Sequence, residues 1–275
     1  MQFTPRHIAR SPMPHLLIVN DDGIASPMLP AMVERLRALG AVSIVVPAEE
    51  QSWKGKAMTR YGRVEARPSD AFGVPAFAVT GTPSDCVNLA LHHLLPEPPD
   101  WIVSGINIGS NAGVAFVINS GTVGAALEGR LQGIPSVAFS TYLAPEYFRE
   151  WSEQRRLSHP SARDIVRSTA ERMAAMMATL LAQGDPCPGA VLNVNFPGLV
   201  DGATPVRWVP LQDNRYGSVF RRDGEGFVHG THVGLSGDET RLTDRAVMLR
   251  GEISVTPIAA SGLGLPPPPE GHRPF

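Results

Sequence analysis

The sequence predicts an α/β fold in which helices cover a largely parallel β-sheet. Two observations support this prediction. Short apolar runs typical of buried strands alternate with segments of helical spacing from residue 15 to about residue 141. Polar residues and glycines directly follow several of these runs, at the edge where open parallel sheets bind ligands. The 275 residues and the 43% hydrophobic content suffice for a packed core.

Composition argues against several functional classes. The formal net charge of -2 gives no electrostatic reason to expect a nucleic acid polymer or an anionic membrane surface as partner. Neither Cys86 nor Cys187 belongs to a metal-ligand spacing, and we interpret both as free thiols in a reducing compartment. No apolar stretch approaches the length of a membrane span, and residues 1–14 lack the apolar core of a secretory signal. We therefore expect a cytoplasmic protein with a flexible leader over residues 1–14.

The first strand, within residues 15–23, stops abruptly at Asp21, Asp22 and Gly23. Adjacent side chains on a strand point to opposite faces, so the two carboxylates converge on one ion only if the backbone turns, which Gly23 permits. Crowded carboxylates repel each other unless a cation lies between them, and hard oxygen ligands suit Mg2+ or Mn2+ rather than zinc. The alternative is that one aspartate caps the next helix while the other is solvated.

The next helix and strand follow directly along the chain. Apolar residues at helical spacing over 28–39, closed by Gly40, predict a helix, and Ala41–Pro47 is the second strand. Together with the first strand they form a right-handed crossover unit. The polar loop 48–59 follows the carboxyl end of the second strand, on the same sheet edge as the aspartates, and is therefore a candidate ligand loop.

A third strand at 74–79 precedes a helix with strong start signals. Thr82 is the expected cap, Pro83 takes the first helical position, and the helix extends to about Leu95.

A fourth strand at 100–104 leads into residues 105–113, where glycines recur at every fourth position. We predict an irregular loop there. The spacing lacks the dinucleotide fingerprint, so no nicotinamide cofactor is indicated. Asn107 and Asn111 offer neutral amide oxygens to a ligand; alternatively, they only shape the turn.

A helix is predicted to open at Asn119 and end at Gly133, and its start is a candidate anion site. Free backbone donors and the positive end of the helix dipole favour an anion at its start, where Ser120 and Thr122 add hydroxyl groups. A fifth strand at 134–140 then ends the alternating pattern.

The character of the sequence changes after residue 141. We predict one long helix within 151–183, a strand at 191–196, hairpins and long loops over 207–250, and a strand at 251–258. The proline-rich tail 265–275 is expected to be extended or disordered. His229 and His232 have zinc-like spacing but no partner cysteines, so we do not predict a zinc site.

Lysine is confined to one loop. Of the 24 basic residues, 22 are arginine, and the two lysines, Lys54 and Lys56, both lie in the loop 48–59. A lysine binds phosphate as a point charge on a long stem. We predict that at least one of them contacts substrate phosphate, and favour Lys56 because Gly55 lets the chain bend beside it. Alternatively, both are solvated surface charges.

The residues predicted at the carboxyl edge of the sheet suit a divalent metal next to a phosphate. Three strand ends and one helix start supply carboxylates, a hydroxyl, amide oxygens and anion-binding donors, which together support metal-assisted hydrolysis. No histidine lies in a pocket loop, so the general base is either a metal-bound hydroxide or one of the two aspartates. Direct attack by an aspartate, through a phosphoenzyme, is the competing route.

Several motifs in order resemble the survival protein E (SurE) family, from about residue 16 to residue 258. They are Asn20-Asp-Asp-Gly23, Ser52 in the second loop, Gly81-Thr-Pro-Ser-Asp-Cys86, Val103-Ser-Gly-Ile-Asn107, Ser120-Gly-Thr-Val-Gly-Ala-Ala-Leu-Glu-Gly-Arg130 and Ser254-Val-Thr-Pro257.

The resemblance implies a phosphoric monoester hydrolase that releases phosphate from nucleoside 5'-monophosphates, often also from 3'-nucleotides and short polyphosphate. It implies one Mg2+ or Mn2+ per subunit, with Asp21, Asp22, Ser52 and Asn107 as ligands. We expect both aspartates to be catalytic. The residues that we expect to bind phosphate or substrate are Asn20, Lys54, Lys56, Asn111, Ser120, Gly121 and Thr122.

The resemblance also implies a three-layer, Rossmann-like core over residues 15–141. The C-terminal part, 142–264, is expected to contain the hairpin and helix elements that make homodimer or homotetramer contacts.

The chain departs from the family pattern at two places. Trp53 to Lys56 replace small and polar residues after the ligand serine, and Val114-Ala115 replaces an acidic pair. These departures concern substrate preference rather than reaction type. A nucleotide- or metal-binding module that keeps the pocket without turnover is the alternative function.

Overall fold

The computed structural model describes residues 13–230, 235–238 and 240–260. Most of the predicted leader, His232 and the whole proline-rich tail therefore lie outside the described residues.

The described chain alternates strands and helices around one large sheet. The strands are β1 His15–Val19, β2 Ala41–Pro47, β3 Ala66–Pro68, β4 Ala76–Val79, β5 Trp101–Ile108, β6 Ser136–Thr141, β7 Ala190–Phe196, β8 Val206–Trp208, β9 Asn214–Tyr216, β10 Phe220–Asp223, β11 Gly226–His229, β12 Leu235–Gly237 and β13 Ile253–Ala259. The helices are α1 Leu29–Leu36, α2 Pro83–Leu89, α3 Val114–Asn119, α4 Gly121–Leu131, α5 Pro145–Gln154, α6 Pro160–Gln183 and α7 Asp244–Leu249.

The large sheet has the strand order β3-β4-β2-β1-β5-β6-β7-β13-β8. Neighbouring strands from β4 to β7 are all parallel. Strand β13 runs antiparallel to β7, and β3 runs antiparallel to β4. The α/β class and the largely parallel sheet are confirmed.

Alternation along β1 builds the three layers. Leu16 and Ile18 belong to an apolar cluster shared with α1 and α6, whereas Leu17 and Val19 belong to a second cluster shared with α2 and α4. Because successive side chains point to opposite faces, each face of the sheet receives its own helical layer. The apolar run of β1 is fully buried for this reason.

The predicted start of the helix at Thr82 is confirmed in detail. Thr82 accepts a hydrogen bond from the backbone of Asp85, and the Asp85 side chain accepts one from the Thr82 backbone. This reciprocal pair satisfies two donors that a helix start leaves free. Helix α2 then continues as a π-helical segment, Ala90–Leu94.

The prediction of an irregular loop over residues 105–113 was wrong for residues 105–108 and is confirmed for residues 109–113. Strand β5 continues to Ile108, with a register shift between Ser104 and Asn107. Gly105, at φ 116°, permits a close approach to the neighbouring strand, since a Cβ there would lie 2.2 Å from the Phe139 carbonyl oxygen. The glycine bends the strand at this point without ending it.

The single long helix predicted within 151–183 is two helices. Helix α5 ends at Gln154, the following Arg155 adopts a left-handed conformation with φ 54°, and α6 begins at Pro160. A proline is favourable in a first helical turn and unfavourable in a helix interior, which explains the break.

The alternating pattern also continues beyond residue 141, contrary to prediction, because β7 lies parallel to β6 after α5 and α6. The parts 15–141 and 142–264 therefore share one sheet. The region 207–250 contains the predicted hairpin, β10–β11, and also the helix α7, which was not predicted.

Helix α4 lies in backbone contact with the loop after β2. A Cβ at Gly124 would lie 2.4 Å from the carbonyl oxygen of Gly55 and 2.7 Å from its carbonyl carbon. Replacing Gly124 with alanine should push this loop away from α4 and lower the free energy of unfolding by about 1 to 3 kcal/mol.

Thermal unfolding followed by circular dichroism measures this effect. Gly202→Ala is the matched control, because Gly202 has open space around its Cβ position and no positive φ. Because alanine is favoured over glycine within a helix by about 1 kcal/mol, a melting temperature raised by Gly124→Ala would contradict the contact.

Candidate active site

The carboxyl ends of β1, β2 and β5 and the first turn of α4 meet at one edge of the sheet. These three strands are direct neighbours in the order β2-β1-β5. Asp21 and Asp22, which follow β1, are 3% and 5% exposed. The predicted convergence of polar groups at this edge is therefore present.

Asn20 shapes the turn that carries the two aspartates. Its Nδ2 donates to the Gly23 carbonyl at 3.1 Å, and the Gly23 N–H donates to its Oδ1 at 3.0 Å. Gly23 has φ 83°, and a Cβ there would lie 3.0 Å from the Glu49 carbonyl carbon. Both polar ends of the Asn20 amide therefore hold the turn, which only glycine fits.

Asp21 is held by the first turn of α4. The Thr122 hydroxyl donates to its Oδ1 at 2.6 Å, and the Thr122 backbone N–H also stabilises the carboxylate. A Cβ at Gly121 would lie 2.8 Å from the Asp21 Cβ, so the absence of a side chain at Gly121 permits this approach. The anion nearest this helix start is thus a carboxylate of the protein itself.

Asp22 lies against β5 instead. The backbone N–H of Ile108 donates to its Oδ2 at 3.2 Å. The extension of β5 beyond residue 104 supplies this donor. The two aspartates are therefore oriented by different elements, α4 for Asp21 and β5 for Asp22.

Burial disfavours the charged form of both carboxyl groups. It raises the pKa of Asp21 to about 6, although hydrogen bonds from Thr122 partly oppose the shift. The pKa of Asp22 is also raised, first by burial and then by the charge of Asp21 beside it. The negative charge of Glu50 raises both pKa values further. A cation between these groups would relieve the repulsion.

Two neutral oxygen groups complete the predicted ligand set. Asn107 donates its Nδ2 to the Gly109 carbonyl at 2.7 Å, which leaves its amide oxygen as the group available to a ligand. Ser52 donates its hydroxyl to Glu50 at 2.6 Å. A serine that donates to a carboxylate keeps its oxygen lone pairs for a cation.

The donor set fits a hard divalent cation. Among the described residues, no cluster of three or more histidine, cysteine, aspartate or glutamate side chains is placed to hold a metal ion. A metal at this edge would therefore combine the two carboxylates with neutral oxygens, the donor chemistry that suits Mg2+ or Mn2+.

A cavity of about 840 Å3 opens at this edge, within the size range of small-molecule sites. The predicted site residues that line it are Asp21, Ser52, Asn107, Asn111 and Ser120. The other predicted residues, Asn20, Asp22, Lys54, Lys56, Gly121 and Thr122, are not among its lining residues. The prediction that the pocket contains no histidine was wrong, because the distant β10–β11 hairpin brings His229 to the cavity.

Asn111 and Ser120 reach the cavity from fixed positions. Asn111 donates its Nδ2 to Ser140 at 2.8 Å and its backbone N–H to Asn195 at 2.7 Å. Ser120 caps α4 by accepting a hydrogen bond from the Val123 N–H at 3.1 Å. Both side chains are therefore oriented before any ligand arrives.

The two lysines occupy different surroundings. Lys56 forms an ion pair with Glu128 on α4 at 2.6 Å, where Glu128 also accepts hydrogen bonds from Asn88 and Gln132. Lys54 is exposed. Lys56 thus connects its loop to α4, and it would have to leave Glu128 to contact a substrate.

Two charged groups of the site were not predicted. Glu50, which binds the Ser52 hydroxyl, also forms an ion pair with Arg155 at the end of α5. Glu50 precedes Ser52 by two residues in a loop already predicted to bind ligand, so its position gave a usable signal. Arg155 lies more than 100 residues along the chain, and no local pattern marks it.

Comparisons with known proteins point to one family. Residues 16–218 match the family model for survival protein SurE. The chain is 40% identical over 248 residues to the 5'-nucleotidase SurE 1 of Thermus thermophilus, covering 89% of this chain and 91% of that protein. It is 35% identical over 251 residues to the 5'-nucleotidase SurE of Methanocella arvoryzae, covering 88% and 91%.

A solved structure supports the same grouping. The crystal structure of the SurE protein from Aquifex aeolicus matches with a TM-score of 0.68 and 29% sequence identity, over 90% of this chain and 93% of that chain.

In the part of the chain that the structure describes, every helix is too short or too polar to cross a membrane.

The raised pKa of Asp21 predicts how the metal-free protein responds to pH. Its contribution to stability is present below the unfolded-state pKa of 3.8 and is lost as pH rises through about 6. Asp21→Asn keeps an acceptor for Thr122 but removes the buried charge. Without metal, the variant should exceed the wild type in unfolding free energy by on the order of 2 kcal/mol at pH 7.5, and match it at pH 4.

Thermal unfolding in a chelator at the two pH values measures this difference. Asp70→Asn is the control, because Asp70 is exposed. A variant less stable than the wild type at pH 7.5 would show that the Asp21 charge is already compensated without a metal.

Proposed function

This chain belongs to the survival protein SurE family, and we propose that it is a metal-dependent 5'-nucleotidase. It would hydrolyse nucleoside 5'-monophosphates to a nucleoside and phosphate. The observation that carries the proposal is the buried, mutually repelling pair Asp21 and Asp22, of which Asp21 lines the 840 Å3 cavity. The similarity to proteins named 5'-nucleotidase SurE supports the reaction type.

For the metal we propose one Mg2+ or Mn2+ per subunit, held by Asp21, Asp22, Ser52 and Asn107. The metal would neutralise phosphoryl charge and make a water molecule more acidic. The hydrogen bonds to Thr122 and Ile108 fix the two carboxylates in orientation, so little reorganisation is needed when a cation binds.

The protein's own residues would bind the phosphate and move the proton. Ser120, in the first turn of α4, and Asn111 line the cavity and would position the phosphate. One of the two aspartates would accept the proton of the attacking water, because both lie at the strand end where that water would be activated. Oxygen from water would then form the new bond to phosphorus as the bond to the nucleoside oxygen breaks, and the proton taken from water would pass to that leaving oxygen, directly or through solvent.

Several finer features belong to the same proposal. We propose activity on 3'-nucleotides and short polyphosphate, and a cytoplasmic location, which the two free cysteines support. We also propose a homodimer or homotetramer formed through the C-terminal part. Phe220 and Phe227 on the β10–β11 hairpin, 58% and 64% exposed, are apolar surface suited to such contacts.

Release of phosphate from AMP tests the activity. Chelation should abolish turnover, and added Mn2+ or Mg2+ should restore it. Asp22→Asn should lower kcat/KM at least about 100-fold, since the site loses an anionic ligand, whereas the exposed Asp70→Asn should match the wild type.

The outcomes separate the alternatives. AMP binding without phosphate release, with every metal tried, would identify a non-catalytic binding module. A phosphoenzyme trapped by rapid quench would replace attack by water with attack by an aspartate. 3'-AMP and tripolyphosphate, assayed beside AMP, test the wider substrate range.

A further inference from the structure

Aromatic side chains gather around Trp53 at one side of the cavity. The indole centroid lies 4.7 Å from the ring of His229, 5.7 Å from Tyr216 and 6.2 Å from Phe116. The corresponding interplanar angles are 59°, 74° and 71°, so none of these three rings is stacked parallel to the indole.

This aromatic group and the proposed metal ligands border the same space. Trp53, Phe116 and His229 line the 840 Å3 cavity together with Asp21 and Ser52. Trp53 directly follows Ser52, so their Cα atoms are about 3.8 Å apart. Ser120 and Asn111, which would position the phosphate, line the same cavity, so a molecule bound there can bring an attached ring system to the indole.

The backbone holds Trp53 in an uncommon conformation. Its φ is 63°, and Arg155, at 54°, is the other non-glycine residue with positive φ in the described chain. Left-handed backbone is rare for a bulky side chain and persists where the surroundings enforce it, often at ligand sites. Both residues border the proposed active site, Arg155 through its ion pair with Glu50.

A purely structural role would bury the indole between packed elements. Trp53 is instead only partly buried and faces the cavity. His229, its nearest ring neighbour, is itself fixed by Phe220, its cross-strand partner, at 5.9 Å. The Trp53 indole therefore forms part of the cavity wall and is held there by neighbouring rings.

We propose that Trp53 stacks on the nucleobase of the substrate, with Phe116 and His229 flanking the base. This inference rests on the proposed nucleotidase activity. Stacking on an aromatic side chain accepts every base, because every base has a π-face. A purine overlaps the indole over two fused rings, so purine nucleotides are the preferred substrate class.

Two substrates that differ only in the base separate the contribution of the base to kcat/KM from that of the phosphate. AMP and ribose 5-phosphate share the phosphate ester, but only AMP carries a base. In Trp53→Leu, the ratio of kcat/KM for AMP to kcat/KM for ribose 5-phosphate should fall about tenfold. Trp53→Phe, which keeps an aromatic face, should retain most of the ratio. Trp208→Leu, at a tryptophan on β8 that is 54% exposed, is the control.

Binding of adenosine gives a second readout that needs neither metal nor turnover. Calorimetry should show about tenfold weaker adenosine binding to Trp53→Leu than to the wild type. In the wild type, adenosine should quench tryptophan fluorescence and ribose should not, and this quenching should disappear in Trp53→Phe. The fluorescence comparison decides the question even if Trp53→Leu fails to fold.

Failure of this inference differs from failure of the proposed function. Equal losses on both substrates in Trp53→Leu, or unchanged adenosine binding, would overturn base stacking and leave the nucleotidase intact. A wild type that hydrolyses neither substrate would overturn the nucleotidase, while adenosine binding would still test the stacking.

Discussion

The site depends on the burial of two adjacent carboxyl groups at the end of β1. An apolar strand buried on both faces carries Asp21 and Asp22 to the sheet edge with 5% exposure or less. Each neighbouring element then supplies a donor to these groups, Thr122 from α4 and Ile108 from β5. The donors orient the two groups and favour their charged forms, but burial outweighs this effect, because both pKa values remain raised. Ionising both buried carboxyl groups together is therefore costly in the metal-free fold, and a cation between them would remove that cost.

The site also requires the first two turns of α4 to lie close to Asp21 and to the loop after β2, and glycine permits this approach. At Gly121 a side chain would collide with Asp21, and at Gly124 it would collide with the loop that carries Ser52. Both glycines lie in α4, where glycine weakens the helix by about 1 kcal/mol relative to alanine. The helix therefore gives up intrinsic stability so that a carboxylate and a ligand loop can lie against its first two turns.

The sequence predicted those features whose causes are local. Apolar runs located most strands of the parallel sheet, and the Thr82-Pro83 start signal located α2, because burial and capping depend on neighbouring residues. The continuation of β5 was missed because Gly105 is required by its close approach to the Phe139 carbonyl, which lies far away in the sequence. The Arg155 ion pair with Glu50 was missed for the same reason, since it depends on the turn between α5 and α6. The roles of the site residues stay predictions.

The loop after β2 combines these local and distant causes. On one side, Ser52 is bound to Glu50, which in turn pairs with Arg155. On the other side, Gly55 donates its N–H to the Asn119 carbonyl at 2.9 Å, and Lys56 pairs with Glu128 on α4. Trp53 lies between these two attachment points, which restrict the path of the chain and account for its left-handed conformation. Glu128 is almost fully buried, so removing Lys56 would leave a buried charge without its ionic partner. Lys56 and Trp53 are thus coupled. The Lys56 ion pair fixes the loop, and the fixed loop holds the Trp53 indole at the cavity.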